Sequence, residues 1–287
     1  MSIDIRKVTV LGTGVLGSQI AFQTAFSGFE VTAYDISDDA LKAAQDRFDK
    51  LAAIYKTDVA GGGDGKAEQT AAGITLTSDL AEAVRDADLV IEAVPEVLSI
   101  KQDTYRKLGE SAPEKTIFAT NSSTLLPSDM VEFTGRPDRF LALHFANQVW
   151  KFNTAEVMGT PATDPKVYQA VVDFASAIGM VPIELHKEKA GYVLNSLLVP
   201  LLNAAMALSA GGYADPEAVD KTWSIATGAP MGPFRILDVI GLTTPYNILV
   251  NSDDENGKKL AAWLKSNYID KGKLGIATGE GFYKYSA

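Results

Sequence analysis

The chain has 287 residues, 36 acidic against 26 basic for a net charge of −10, with 46% hydrophobic residues and no cysteine. That length holds one large or two ordinary domains whose cores need no covalent staples, and the missing thiol excludes disulfide scaffolds, thiolate metal sites and a cysteine nucleophile. An acidic balance without a Lys/Arg cluster argues against a nucleic-acid surface, because neutralising phosphates requires a basic patch.

The N-terminus, Met1-Ser2-Ile3-Asp4, carries acid where a secretory leader would be basic, so no export signal is expected and a cytoplasmic protein is. Up to about residue 185, short β-branched runs alternate with helical stretches. Arg6–Leu11, Glu30–Tyr34, Asp88–Val94, Thr116–Thr120 and Arg139–Leu143 read as strands; Val15–Ser27, Ser37–Tyr55, Val97–Ser111 and Pro165–Ile178 read as helices. Near-continuous apolar strands with helical crossovers imply a parallel sheet covered on both faces. A glycine-rich patch, Gly61 to Gly65, reads as a flexible loop.

Beyond the charged run His186 to Lys189 the strand signals stop. Helical stretches follow at Gly191–Ala210, Pro216–Ala226, Phe234–Ile240, Tyr246–Val250 and Lys258–Tyr268. The expected fold is α/β: an N-terminal Rossmann-type, doubly wound parallel sheet over 1–186, followed by an all-α domain over 187–287. The most lipid-like segment, Tyr192–Ala210, contains Asn195, Ser196, Pro200 and Asn203, which suit a buried protein helix and not a bilayer.

Gly12, Gly14 and Gly17 form G-x-G-x-x-G after an apolar strand and at the opening of a helix, with Val15 and Leu16 between the last two glycines. The first glycine permits the turn, the second lets a pyrophosphate approach the backbone, and the third allows close packing of helix on strand. The helix N-terminus offers free N–H groups to the anion. Asp35 ends the second strand, where a carboxylate would accept hydrogen bonds from an adenosine ribose and repel a 2′-phosphate, favouring NAD over NADP. FAD uses the same fingerprint, so the loop alone does not name the cofactor.

The chain has two histidines. His144 follows an apolar strand at the carboxyl end, where open α/β sheets bind ligands; His186 sits among charges. Glu156 lies in a short strand-like run that could return to His144 and fix its tautomer. Asn195 interrupts an apolar helix, so its amide is satisfied either in the core or by a ligand between the domains. Ser122 and Ser123 follow another strand end, with no nucleophile elbow around them.

Taken together, these residues resemble the short-chain L-3-hydroxyacyl-CoA dehydrogenases, including 3-hydroxybutyryl-CoA dehydrogenases. The similarity runs from Val8 to Tyr285. Val90 to Glu96 resembles the family's V-x-E-A-x-x-E, Asn121 to Leu125 its N-T-S-S-L, and Arg139 to Asn147 its R-F-x-G-x-H-F-F-N. Gly191 to Asn203 is similar to its G-F-x-x-N-R-L-L-x-P-x-x-N helix, Pro230 to Asp238 to P-M-G-P-F-x-L-x-D, and Gly279 to Tyr283 to T-G-x-G-F-Y. The resemblance implies His144 as catalytic base with Glu156 as partner, Ser123 and Asn195 holding the substrate's oxygens, and Asn121, Asn147, Glu96 and Lys101 lining the cleft. It further implies NAD as cofactor, no metal, an acyl-CoA substrate and a homodimer formed through the C-terminal domain.

Departures from the pattern concern the pocket. Phe145-Ala146-Asn147-Gln148 stands for F-F-N-P, Ala277 replaces a usual lysine, and Asp58 to Gly65 brings acid and glycine to a lysine-rich region. Two rival readings follow: a dehydrogenase of small free hydroxy acids on the same fold, or a dinucleotide-binding protein without turnover. The 6-phosphogluconate-type enzymes fit less well, since their catalytic lysine would fall at Gly191.

Overall fold

The computed structural model describes residues 3–251 and 253–285. The chain divides into two compact units, Met1–Val193 and Leu194–Ala287. The division falls after Val193 and not after His186, because the turn that follows the charged run still packs on the first unit through Tyr192.

The first unit is built on an eight-stranded sheet of β1 (Lys7–Leu11), β2 (Glu30–Tyr34), β3 (Thr75–Thr77), β4 (Leu89–Glu92), β5 (Ile117–Thr120), β6 (Phe140–Phe145), β7 (Thr154–Gly159) and β8 (Val181–Leu185). The spatial order is β3-β2-β1-β4-β5-β6-β7-β8. Helices α1 (Val15–Phe26), α2 (Asp38–Asp58), α3 (Lys66–Gly73), α4 (Leu80–Val84), α5 (Leu98–Ser111) and α6 (Pro165–Ala177) connect the strands. Along β4, Leu89 and Ile91 join one apolar cluster with Phe22 and Phe48, while Val90 joins another with Tyr105 and Phe118. Such alternation is what a sheet covered on both faces requires. Strand order reverses between β1 and β4, so a crevice opens at their carboxyl ends.

The sheet is not wholly parallel: β7 runs antiparallel to β6, and β8 parallel to β7. Four elements escape the periodicity. Strand β3 and helix α4 are too short to carry a period, α3 starts directly after the glycines, and β8 contains Pro182. Proline is tolerated there because β8 is an edge strand, where a missing N–H costs no ladder bond. The glycine-rich patch is a tight turn and not a loose loop: Gly62 N–H donates to Val59 O at 3.0 Å and Lys66 N–H to Gly63 O at 3.1 Å.

The second unit is helical, with α7 (Leu194–Ala210), α8 (Pro216–Thr227), α9 (Pro233–Ile240), α10 (Thr243–Val250) and α11 (Glu255–Asn267) around Leu202, Met206, Phe234, Leu237 and Leu264. Two buried carboxylates pin its closing segment. Asp238 accepts Phe282 N–H at 2.8 Å, Tyr283 N–H at 3.0 Å and the Tyr285 hydroxyl at 2.8 Å. Asp220 accepts Phe234 N–H at 2.8 Å and the Tyr283 hydroxyl at 2.9 Å. The motifs around Pro230 and Gly279 are therefore parts of a scaffold. Among the described residues no helix is long and apolar enough to cross a membrane.

Candidate active site

Strand β1 enters α1 through the glycine loop, and each glycine meets a different environment. Gly12 has φ +88°, and a Cβ on it would lie 2.5 Å from Ala93 O; a Cβ on Gly17 would lie 1.8 Å from Gly12 O. At Gly14 a Cβ would meet nothing within 4 Å. The outer two glycines are thus demanded by packing, while the middle one presents open backbone that a phosphate could approach. No side chain caps the N-terminus of α1, which leaves Val15 and Leu16 N–H in the first turn, where an anion binds.

Asp35 stands at the end of β2. One carboxylate oxygen accepts Thr13 N–H at 2.7 Å and the Thr13 hydroxyl at 2.6 Å, and the other accepts Ile36 N–H at 2.8 Å. Arg47 of α2 donates to Thr13 O at 3.2 Å. Thr13 therefore ties the glycine loop to the second strand, a role hidden at a variable position of the fingerprint. Open backbone, an uncapped helix terminus and this carboxylate fit a dinucleotide.

The proton-handling candidates meet further along the same sheet edge. His144 on β6 lies directly opposite Glu156 on β7 in the antiparallel register. Its Nδ1 is 2.9 Å from Glu156 Oε2 and its Nε2 is 3.1 Å from Ser123 Oγ. Both partners are buried, His144 at 4% and Glu156 at 3% exposure. A carboxylate at Nδ1 keeps the proton on that nitrogen, so Nε2 is the one free to exchange a proton. Glu156 Oε1 accepts Val193 N–H at 2.9 Å.

A polar network runs from the exposed Glu96 beside Ser123 to the buried Lys101 and Glu92. Glu96 Oε1 accepts the Ser122 hydroxyl at 2.6 Å, and Ser123 N–H, Thr124 N–H and the Thr124 hydroxyl at 2.9 Å each. Burial raises the Glu96 carboxyl, but the Ser122 bond, the Lys101 charge and the Thr124 bonds outweigh it and hold it below its ordinary value. Lys101, implied by the resemblance to line the cleft, is 1% exposed. Its ammonium sits 2.5 Å from Glu92, 3.4 Å from Glu96 and 3.2 Å from Val94 O, so it joins β4, α5 and the serine loop from below. Glu92 is fully buried and also accepts the Tyr105 hydroxyl at 3.0 Å and the Thr120 hydroxyl at 2.8 Å.

Asn121 Oδ1 accepts Phe145 N–H at 2.9 Å and so joins the ends of β5 and β6. Asn147 is exposed in the turn after β6. Asn195 is half-buried in the first turn of α7 and belongs to the second unit. His186 follows β8, which runs opposite to β6, and so stands at the other edge of the sheet from His144. Tyr192, unremarked in the sequence, stacks on His144.

Comparison with known proteins decides the family. The family described as 3-hydroxyacyl-CoA dehydrogenase, NAD binding domain, matches residues 7–189, and the corresponding C-terminal domain matches residues 191–285. The chain belongs to the 3-hydroxyacyl-CoA dehydrogenase family. It is an NAD-dependent oxidoreductase, as the resemblance implied. This dehydrogenase is 37% identical to the mitochondrial hydroxyacyl-coenzyme A dehydrogenase of Rattus norvegicus, over 99% of this chain and 92% of the relative. It is 32% identical to a probable 3-hydroxybutyryl-CoA dehydrogenase of Bacillus subtilis, over 99% of this chain and 98% of the relative. A solved diketoreductase, described in terms of substrate-directed dual catalysis of dicarbonyl compounds, is 70% identical, with a TM-score of 0.95 over 98% of this chain and 99% of that one.

Proposed function

We propose that this dehydrogenase interconverts short-chain (3S)-3-hydroxyacyl and 3-oxoacyl compounds, with the CoA thioester as the carrier and His144 with Glu156 as its acid/base pair. The line Glu156, His144, Ser123, held at 2.9 and 3.1 Å, carries this reading. The glycine loop through Gly12, Gly14, Val15, Leu16 and Gly17 holds the pyrophosphate, and Asp35 holds the adenosine ribose. Asn121, Asn147 and Glu96 shape the cleft, with Lys101 positioning Glu96.

When bound, NAD supplies a hydride acceptor for C3 of the alcohol and, reduced, a hydride donor for the ketone. His144 Nε2 removes the 3-hydroxyl proton in oxidation and returns it in reduction. Glu156 steadies the imidazolium that forms. Ser123 donates to the reacting oxygen as negative charge develops there, and Asn195 orients the acyl carbonyl. The exposed Leu197 and Ile225 of the second unit, at 70% and 75%, support self-association through that unit.

The 70% identity to a diketoreductase favours a second reading. A 3-oxoacyl group is itself a 1,3-dicarbonyl, so the same site would serve free dicarbonyl compounds without CoA. NADH oxidation measured with acetoacetyl-CoA, ethyl acetoacetate and acetylacetone separates the two. Turnover of acetoacetyl-CoA with the highest kcat/KM supports the first, and activity confined to the free compounds removes CoA. No turnover with any of them, alongside tight NADH binding, leaves a dinucleotide-binding protein.

A further inference from the structure

The turn before α7 closes over the acid/base pair. The Tyr192 ring lies flat on the His144 imidazole, with centroids 4.5 Å apart and planes 9° apart. Its hydroxyl donates to Ser122 O at 2.8 Å, and the next residue's N–H holds Glu156. Tyr192 is 1% exposed and adopts φ +51°, a left-handed backbone that a bulky residue rarely takes. Such strain persists where surrounding contacts enforce it. Burial, reinforced by the Glu96 and Glu156 charges, pushes the Tyr192 hydroxyl up, so it stays a donor.

We propose that Tyr192 is a positioning residue for the reaction: its ring fixes the plane of the His144 imidazole, and its hydroxyl ties that wall to the loop carrying Ser123. Glu156 and Ser123 anchor the two nitrogens of the imidazole but do not stop it tilting about the line between them. A flat neighbour at van der Waals distance does. The family pattern has phenylalanine at this position, so the hydroxyl bond to Ser122 is an addition to that pattern. The role rests on His144 being the proton carrier.

Two variants and one spectrum test it. Tyr192→Phe keeps the ring and loses the bond to Ser122; kcat should fall about threefold to tenfold, with NADH affinity unchanged. Tyr192→Leu removes the stack, and kcat should fall by about tenfold to a hundredfold, again with NADH affinity within about twofold of the parent. Most of the loss seen with leucine should be absent with phenylalanine.

The chain has two histidines, so the His144 ring protons can be assigned by NMR against His186→Gln. In the unaltered protein they should lie upfield of the His186 signals, shielded by the stacked ring. The role is overturned if that shielding is absent, or if both variants bind NADH normally and turn over within about twofold of the parent. Should Tyr192→Leu not fold, the parent spectrum and Tyr192→Phe still decide. Turnover retained in His144→Gln would instead overturn the acid/base assignment; an inactive His144→Gln with unaffected Tyr192 variants overturns Tyr192 alone.

Discussion

His144 and Glu156 are cross-strand neighbours in the antiparallel ladder between β6 and β7, and their side chains meet at 2.9 Å with both residues buried. The partnership is therefore held by main-chain register and not by a flexible loop. His144→Gln should lower kcat by about 10²–10⁴-fold while leaving NADH affinity intact. Glu156→Gln should lower kcat less than that, because the imidazole remains but its protonated form loses a countercharge. Steady-state rates with acetoacetyl-CoA, beside NADH titrations by fluorescence, check both.

The glycine loop separates folding from binding. Gly17→Ala places a Cβ 1.8 Å from a backbone oxygen and should destabilise the first unit by about 3 kcal/mol or more. Gly14→Ala meets no protein atom within 4 Å, so its melting temperature should hold while NADH binding weakens about tenfold or more. Thermal denaturation and NADH titration of the two variants should give opposite patterns.

Asp35→Ser should raise the ratio of kcat/KM for NADPH over NADH by about tenfold or more, because the charge that repels a 2′-phosphate is gone. Parallel assays with the two reduced cofactors read the ratio.

Lys101→Met would leave Glu92 fully buried without its cation. Removing one partner of a buried pair costs about 3–5 kcal/mol, so urea denaturation should show a loss of that size. Activity should fall as well, through the Glu96 bonds to the Ser123 loop.

Glu96 is held below its ordinary value near 4.5 in the folded chain. Its contribution to stability is then present in full above that value and is lost as pH falls through the depressed folded value. Melting temperature should drop more steeply on acidification below about pH 4.5 in the parent than in Glu96→Gln.

Local spacing made the first half of the candidate site legible. Gly12, Gly14, Gly17 and Asp35 are fixed by a strand, a turn and a helix within one stretch of chain, and the resemblance supplied His144 and Glu156. Strand direction was not legible: nothing in Thr154 to Gly159 distinguishes a strand that turns back from one that crosses over. The burial of Lys101 was not legible, because a buried cation is recognised only from the carboxylates folded around it, and those come from β4 and the segment that follows it. Tyr192 was silent because its left-handed backbone and its stack on His144 arise from the tertiary fold. Pro182 concealed β8, since a proline reads as a break until the strand is known to be at an edge.

The antiparallel return of β7 also bears on how such a chain diversifies. Its connector from β6, Ala146 to Asn153, holds Ala146 and Gln148, where the family pattern beside His144 has phenylalanine and proline. Because Glu156 is registered against His144 by paired backbone, side chains in that connector can change without moving these two residues apart. Variation in the connector and retention of the His144–Glu156 pairing are thus separable, carried on different parts of one hairpin.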